Sequence, residues 1–155
     1  MVRMGNKREL LHADVSEVII GCCFEVMKEL GSGLLENVNK NALFIAMKEK
    51  GLTVLVEQSF EVVFRNRKIG KYIADLTVEN LIVVELKCCK TLLPEHQAQV
   101  INYLKASQLP VGFLVNFGNQ KLEYKRLHHP DKFIETEDAS GKLYPLYCLN
   151  QNSIS

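Results

Sequence analysis

With 155 residues, 47% of them hydrophobic and 24% charged, the chain has the length and balance of one globular domain with a single core, which argues against disorder. Its 19 basic and 18 acidic residues leave a formal charge of +1, so no global basic field marks it for nucleic acid, and any such partner must be held by a local patch. The five cysteines, Cys22, Cys23, Cys88, Cys89 and Cys148, form two vicinal pairs and a single residue with no Cys-X-X-Cys spacing, a pattern that favours reduced thiols in a cytoplasmic protein over a zinc site or a disulfide framework.

Residues 1–13 read as a polar lead-in without an apolar signal core, and no apolar run in the chain comes near the ~20 residues of a membrane span. Asp14 and Glu17 resemble a capping box, and Val15, Val18, Ile19, Cys22, Val26, Met27 and Leu30 recur at helical spacing up to Gly31. Cys22 is expected to face the core as a small hydrophobe. A second helix is expected from about Leu34 to Lys50, stopped by Gly51, with Leu35, Val38, Ala42, Ile45 and Ala46 as its buried stripe. Glu36 falls in its first turn, where the helix dipole alone favours a carboxylate.

From Thr53 to Phe64 the period changes to two, with Val54, Val56, Phe60, Val62 and Phe64 on one side and Glu57, Ser59 and Glu61 on the other. Arg65 to Lys68 make a polar turn, Ile69 to Val78 return as a second strand, and Leu81 to Lys87 follow as a third. The unalternating Leu81-Ile82-Val83-Val84 run marks that third strand as central and covered on both faces. Pro94 opens a helix with His96, Gln99 and Tyr103 on one face and Ala98, Ile101 and Leu104 on another. Val111 to Phe117 is a fourth strand, reached through a helix and therefore parallel to the third, and Leu122 to Leu127 a short fifth. Beyond His128 the chain is loop-like, except that Leu143 to Tyr147 could dock on the sheet as an edge.

The chemistry concentrates between Ile73 and Lys87, where Asp75, Glu85 and Lys87 interrupt a strand pair that otherwise reads as buried. Burying carboxylates is costly unless they are paired, hydrogen-bonded or metal-bound. Glu85 and Lys87, two apart, leave one face of their strand, and Asp75 can approach from the preceding strand. Two carboxylates so placed suit a hard cation such as Mg²⁺, beside which Lys87 could stabilise a phosphate in transition. The arrangement sets a condition on the connection: a two-residue turn at Glu79-Asn80 would put Asp75 opposite Val84, on the wrong face, so an odd-length connection or a bulge is required. A blander reading makes Asp75, Glu85 and Lys87 a structural ion-pair cluster. Gln99 and Tyr103, four apart, stack on one helical face, where Gln99 can orient water or bind a phosphate oxygen; His96 shares that face.

The order Asp75, Glu85-Leu86-Lys87 and Gln99-X-X-X-Tyr103 resembles the PD-(D/E)XK nuclease superfamily, especially its RecB-like branch. Gly33-Leu34-Leu35-Glu36, Val84-Glu85-Leu86-Lys87, and His96 to Gln99 with Tyr103-Leu104-Lys105 are similar to the GxxExxY family within it. This resemblance implies an α/β (α+β) fold with a restriction-endonuclease-like core: helix, three-stranded antiparallel meander, helix and strand, in a mixed central sheet flanked by helices. That domain would span residues 14–127, with residues 128–155 as an extension packed on or near it. It implies a Mg²⁺- or Mn²⁺-dependent nuclease acting on DNA or RNA. Asp75 and Glu85 match the metal ligands, with Glu36, the helix glutamate that assists the metal or its water, as a third metal-site residue; Lys87 matches the catalytic lysine and Gln99 the motif glutamine. Asn39 stands where the family motif has tyrosine, which motivates an alternative: a catalytically inactive nuclease-fold protein serving as a nucleic-acid-binding or protein-interaction module. Candidates for holding a nucleic-acid backbone are Arg65, Arg67, Lys68, Lys71, Lys90, Lys125 and Arg126. The small size leaves a homodimer open.

Overall fold

Residues 13–130, 135–137 and 143–145 are described by the computed structural model; the expected lead-in lies, apart from its last residue, outside them. Strand β3, Ile82–Lys87, is the centre of a five-stranded sheet in the order β1-β2-β3-β4-β5. Strands β1 (Val54–Phe64), β2 (Arg67–Val78) and β3 form an antiparallel meander. Strand β4 (Val111–Asn116) runs parallel to β3, and β5 (Glu123–His128) antiparallel to β4. Every residue of β3 from Ile82 to Leu86 is buried, as its lack of alternation requires of a strand covered on both faces.

Two cores sandwich this sheet. Ile82, Val84 and Leu86 pack with helices α1 (Ala13–Leu30) and α2 (Glu36–Glu49), while Val83 and Leu114 pack with Val100, Tyr103 and Leu104 of α3 (Pro94–Ser107). The helices stop ahead of Gly31 and Gly51 as expected, and Cys22 is fully buried. Helix α1 begins at Ala13, so Asp14 sits within its first turn instead of capping it.

Three further expectations need correction. The buried side of α2 is Asn39, Lys40, Leu43 and Met47, while Leu35, Val38 and Ile45 of the expected stripe are exposed. The helix is rotated so that polar residues face inward, toward the sheet. In α3, Ala98 is exposed and Val100 takes the buried position beside Leu104. Leu143–Pro145 does not edge the main sheet; it pairs with Glu135–Glu137 in a separate two-stranded sheet, and the rest of that expected edge lies outside the described residues.

Strand β2 changes the face it presents partway along. Leu76 and Val78 belong to the α1/α2 core, whereas Tyr72 and Ala74, of the same parity, belong to the α3 core. The ribbon turns over at Asp75.

Candidate metal and phosphodiester site

The connection between β2 and β3 has three residues, Glu79, Asn80 and Leu81, with Val78 opposite Ile82 and Leu76 opposite Val84. Continuing that register by one residue sets Asp75 opposite Glu85, so the odd-length condition is met. Glu79 and Asn80 hold positive φ values of 54° and 52°, and the Leu81 amide donates to the Val78 carbonyl at 3.0 Å, which closes the turn.

Beyond Leu76 the main-chain ladder gives way to side chains. The Asp75 amide donates to Glu85 Oε2 at 3.3 Å, and the Leu86 amide donates to Asp75 Oδ2 at 2.9 Å. These bonds hold two carboxylates side by side in a half-closed seam. Glu85 is only 4% exposed. Burial first, and then the Asp75 carboxylate beside it, push the Glu85 carboxyl up to about 8. Lys87, two residues on, leaves the same face and lies half-buried; among the described residues its side chain makes no ion pair or hydrogen bond, so the blander reading, an ion-pair cluster of Lys87 with Asp75 and Glu85, does not hold.

The acids are instead compensated from a position that the sequence pattern does not mark. Lys40, 7% exposed, donates to Glu57 Oε1 at 2.8 Å and lies 3.8 Å from Asp75 Oδ1. Its bond to Glu57 raises the Lys40 pKa, and the same bond lowers that of Glu57. Glu57 faces Asp75 in the β1–β2 register yet has φ of 53°, a left-handed conformation that strains a non-glycine residue inside a strand. Three carboxylates, on Glu57, Asp75 and Glu85, thus lie in a row across β1, β2 and β3, with Lys40 at one end and Lys87 near the other.

The α3 side is closed by Tyr103, whose hydroxyl accepts from Gln99 Nε2 at 2.9 Å and whose ring meets Tyr72 edge-on at 5.2 Å. Burial, followed by the nearby Glu85 charge, pushes the Tyr103 hydroxyl up to about 12, so it keeps its proton. His96 serves the helix start: its Nδ1 accepts from the Leu93 amide at 3.0 Å. On α2, Glu36 is exposed one turn before Lys40, and Asn39 Nδ2 donates to Cys88 Sγ at 3.4 Å. Glu36 does not close a three-acid group with Asp75 and Glu85; among the described residues no three His, Cys, Asp or Glu side chains converge as a metal cage.

A family model of the PD-(D/E)XK nuclease superfamily matches residues 13–127. The chain belongs to this superfamily. Among solved structures, the PD-(D/E)XK fold seen here is similar to the crystal structure of SSO0001, with a TM-score of 0.50 and 20% identity over 84% of this chain and 70% of that one, a likeness of fold alone. No curated protein matches. Nucleases of the PD-(D/E)XK superfamily generally use divalent metals. The donor set here fits one: Asp75 and Glu85 offer hard oxygens, Glu85 is desolvated with no cation in ion-pair contact among the described residues, and Mg²⁺ is commonly held by one or two carboxylates with water and substrate phosphate completing its shell.

The loop that follows Lys87 in this PD-(D/E)XK core is fixed by Asn116, a fully buried residue that sequence reasoning missed because it merely ends an apolar strand. Its Oδ1 accepts from the Cys89 amide at 3.0 Å and the Gly118 amide at 2.9 Å, while its Nδ2 donates to the Cys89 carbonyl at 2.9 Å. A Cβ on Gly118 would come within 2.4 Å of the Cys89 carbonyl oxygen, so only glycine permits this approach.

Lys40 and Glu57 give opposed expectations. Replacing Lys40 by Met removes a positive charge beside Asp75, so Ca²⁺ affinity measured by calorimetry should rise about five- to tenfold, reflecting the ~1 kcal/mol that a charge a few ångströms away exerts in a watery dielectric. Glu57→Gln frees Lys40 to pair with Asp75 and should lower the affinity by a similar factor. A loss of affinity in both variants would mean that the pair only supports the fold.

Proposed function

We propose that the protein is a divalent-metal-dependent nuclease that hydrolyses phosphodiester bonds of DNA or RNA, and that it is a GxxExxY-type member of its superfamily acting in the cytoplasm. The observation that carries this reading is the side-by-side placement of Asp75 and a buried Glu85, the Glu85 carboxylate accepting from the Asp75 amide and the Asp75 carboxylate from the Leu86 amide, with the unpaired Lys87 side chain on the same face. Asp75 and Glu85 would hold Mg²⁺ or Mn²⁺, which when bound acidifies water and neutralises phosphate charge. Lys87 then supplies a cation to the non-bridging phosphate oxygens, and Gln99, fixed by Tyr103, orients a water or a phosphate oxygen. Glu36 stands at the rim, where it can draw on water at the site without ligating through its own carboxylate. Residues 14–127 form the nuclease domain in this reading.

The free thiols of Cys22, Cys23, Cys88 and Cys89 agree with a reducing compartment. No helix among the described residues is long and apolar enough to cross a membrane. The test is incubation of the purified protein with linear duplex, single-stranded and circular DNA and with RNA, with and without Mg²⁺ or Mn²⁺, beside a Glu85→Ala variant. Cleavage that requires the metal and Glu85 supports the enzyme. Binding without cleavage in any metal supports the alternative, a nuclease-fold module without catalysis, to which the Asn39 departure points; there Asn39 keeps a buried Oδ1 without a partner.

A further inference from the structure

The β1–β2 ribbon continues well past the site. Residues 63–71 are all exposed, on both faces of the ribbon, and include the large apolar side chains of Val63, Phe64 (56% exposed) and Ile69 (64%). Arg65 and Asn66, with φ of 48° and 63°, make a two-residue turn between Phe64 and Arg67, and an extra residue, Ile69, bulges from the register between the Val62–Gly70 and Val63–Lys68 pairs. The tip carries Arg65, Arg67, Lys68 and Lys71 against one acid, Glu61, which pairs with Lys68 at 2.7 Å. Arg65 lies over the Phe64 ring at 4.9 Å, and Phe64, Arg65, Arg67 and Ile69 line a shallow concavity. A two-stranded ribbon exposed on both sides gains little stability alone, so a basic and apolar tip kept in this form indicates a polyanionic partner.

We propose that the β1–β2 tip is an arm that grips the backbone of a nucleic-acid duplex at a fixed distance from the Asp75–Glu85 site. This rests on the nuclease reading above. Glu57 marks the level of Asp75, and Arg65, in the turn just past the end of β1, lies eight residues further along the chain; at ~3.3 Å per residue the tip stands roughly 26 Å from the carboxylates. With a rise of 3.4 Å per base pair, that distance corresponds to about seven or eight base pairs. The two-stranded form suits the groove of a duplex, which admits a β-ribbon. The arm therefore works as a ruler: duplexes that end short of it lose its contacts while still filling the catalytic seam.

The experiment measures duplex DNA binding by fluorescence anisotropy in Ca²⁺, for lengths from 6 to 24 base pairs, with the wild type, an Arg65→Ala/Arg67→Ala/Lys68→Ala variant and Phe64→Ala. The wild type should gain affinity at least tenfold once the duplex is long enough to reach both the seam and the tip. The triple variant should keep only the short-duplex affinity, with a log–log salt slope smaller by about 2 to 3, the value for three phosphate contacts. Equal length dependence and salt slope in wild type and triple variant overturn the arm, even if metal-dependent cleavage is intact. A length effect that depends on the tip, without cleavage in any metal, leaves the arm standing and removes the nuclease reading. If the wild type instead binds phosphatidylserine vesicles through Phe64 and shows no duplex length effect, the tip is a membrane contact and the proposal fails.

Discussion

Lys87→Ala is expected to lower the single-turnover cleavage rate by roughly 10²- to 10³-fold, the usual loss when one preorganised charge or donor is removed from a transition state, while leaving Ca²⁺ affinity equal or slightly higher. The reason lies in how Lys87 is held. It shares a face with Glu85 at the end of β3, its charge is the weakest of the influences acting on the Glu85 carboxyl, and among the described residues no hydrogen bond or ion pair occupies its ammonium group. An ammonium that helped to hold the fold would be committed to a partner, as Lys40 is to Glu57. Lys87 is uncommitted and can meet a phosphate. Glu85→Ala should differ by losing both cleavage and Ca²⁺ binding, because it removes a donor from the cation itself. Calorimetry and rapid-quench cleavage on the same preparations separate the two patterns. If Lys87→Ala cleaves at the wild-type rate, the phosphate charge is met elsewhere, and Lys40 becomes the side chain to test.

The parity of the β2–β3 connection is legible in the sequence, because strand alternation turns a facing requirement into a count of turn residues: without a bulge, Asp75 shares a face with Glu85 only when the connection has an odd number of residues, here Glu79, Asn80 and Leu81. The double covering of β3 is legible for a similar reason, since an apolar run without alternation has no solvent face to offer. Helix α2 is not. Its apolar residues suggest a stripe through Leu35, Val38 and Ile45, but the helix turns Asn39 and Lys40 inward to Cys88 and to the acids, so local patterning and site requirements conflict. The spacing of Asn39, Leu43 and Met47 at four-residue intervals is the signal that could have found that face. Glu57 has no such signal. In sequence it is an ordinary outward residue of an alternating strand, and only its left-handed backbone and its place opposite Asp75 single it out. The basic residues of the β1–β2 turn are visible as a charge cluster, whereas the projection of the ribbon that carries them is a property of the sheet, whose third strand pairs with β2 only as far as Leu76.

The metal-free protein should become less stable as pH rises from about 4.5 to about 8, and Glu85→Gln should abolish that fall. Folding carries the Glu85 carboxyl from an ordinary 4.5 up to about 8, chiefly by burial and then by the charge of Asp75. Within that window the folded protein binds a proton that the unfolded chain has released, so stability drops with each step of pH until Glu85 ionises in the folded state as well. At ~1.4 kcal/mol for each pH step of one across that window, the accumulated cost above pH 8 is on the order of 3–5 kcal/mol. For a domain of this size that amounts to roughly 10 °C in melting temperature. The glutamine variant keeps the size and hydrogen-bonding ability of the side chain without the proton, so its melting curve should lack this component. A divalent cation acts on the same cost from the other side. At pH 5.5 it must displace the proton from Glu85, whereas at pH 8.5 it meets a carboxylate that burial has left without enough counter-charge. Saturating Ca²⁺ should therefore raise the wild-type melting temperature much more at pH 8.5 than at pH 5.5, and raise that of Glu85→Gln little at either. Thermal scans of both proteins at the two pH values, with Ca²⁺ and with EDTA, measure all of these effects. Parallel pH profiles for the two proteins would show that Glu85 ionises normally in the fold, and the case for a cation between Asp75 and Glu85 would then have lost its electrostatic basis.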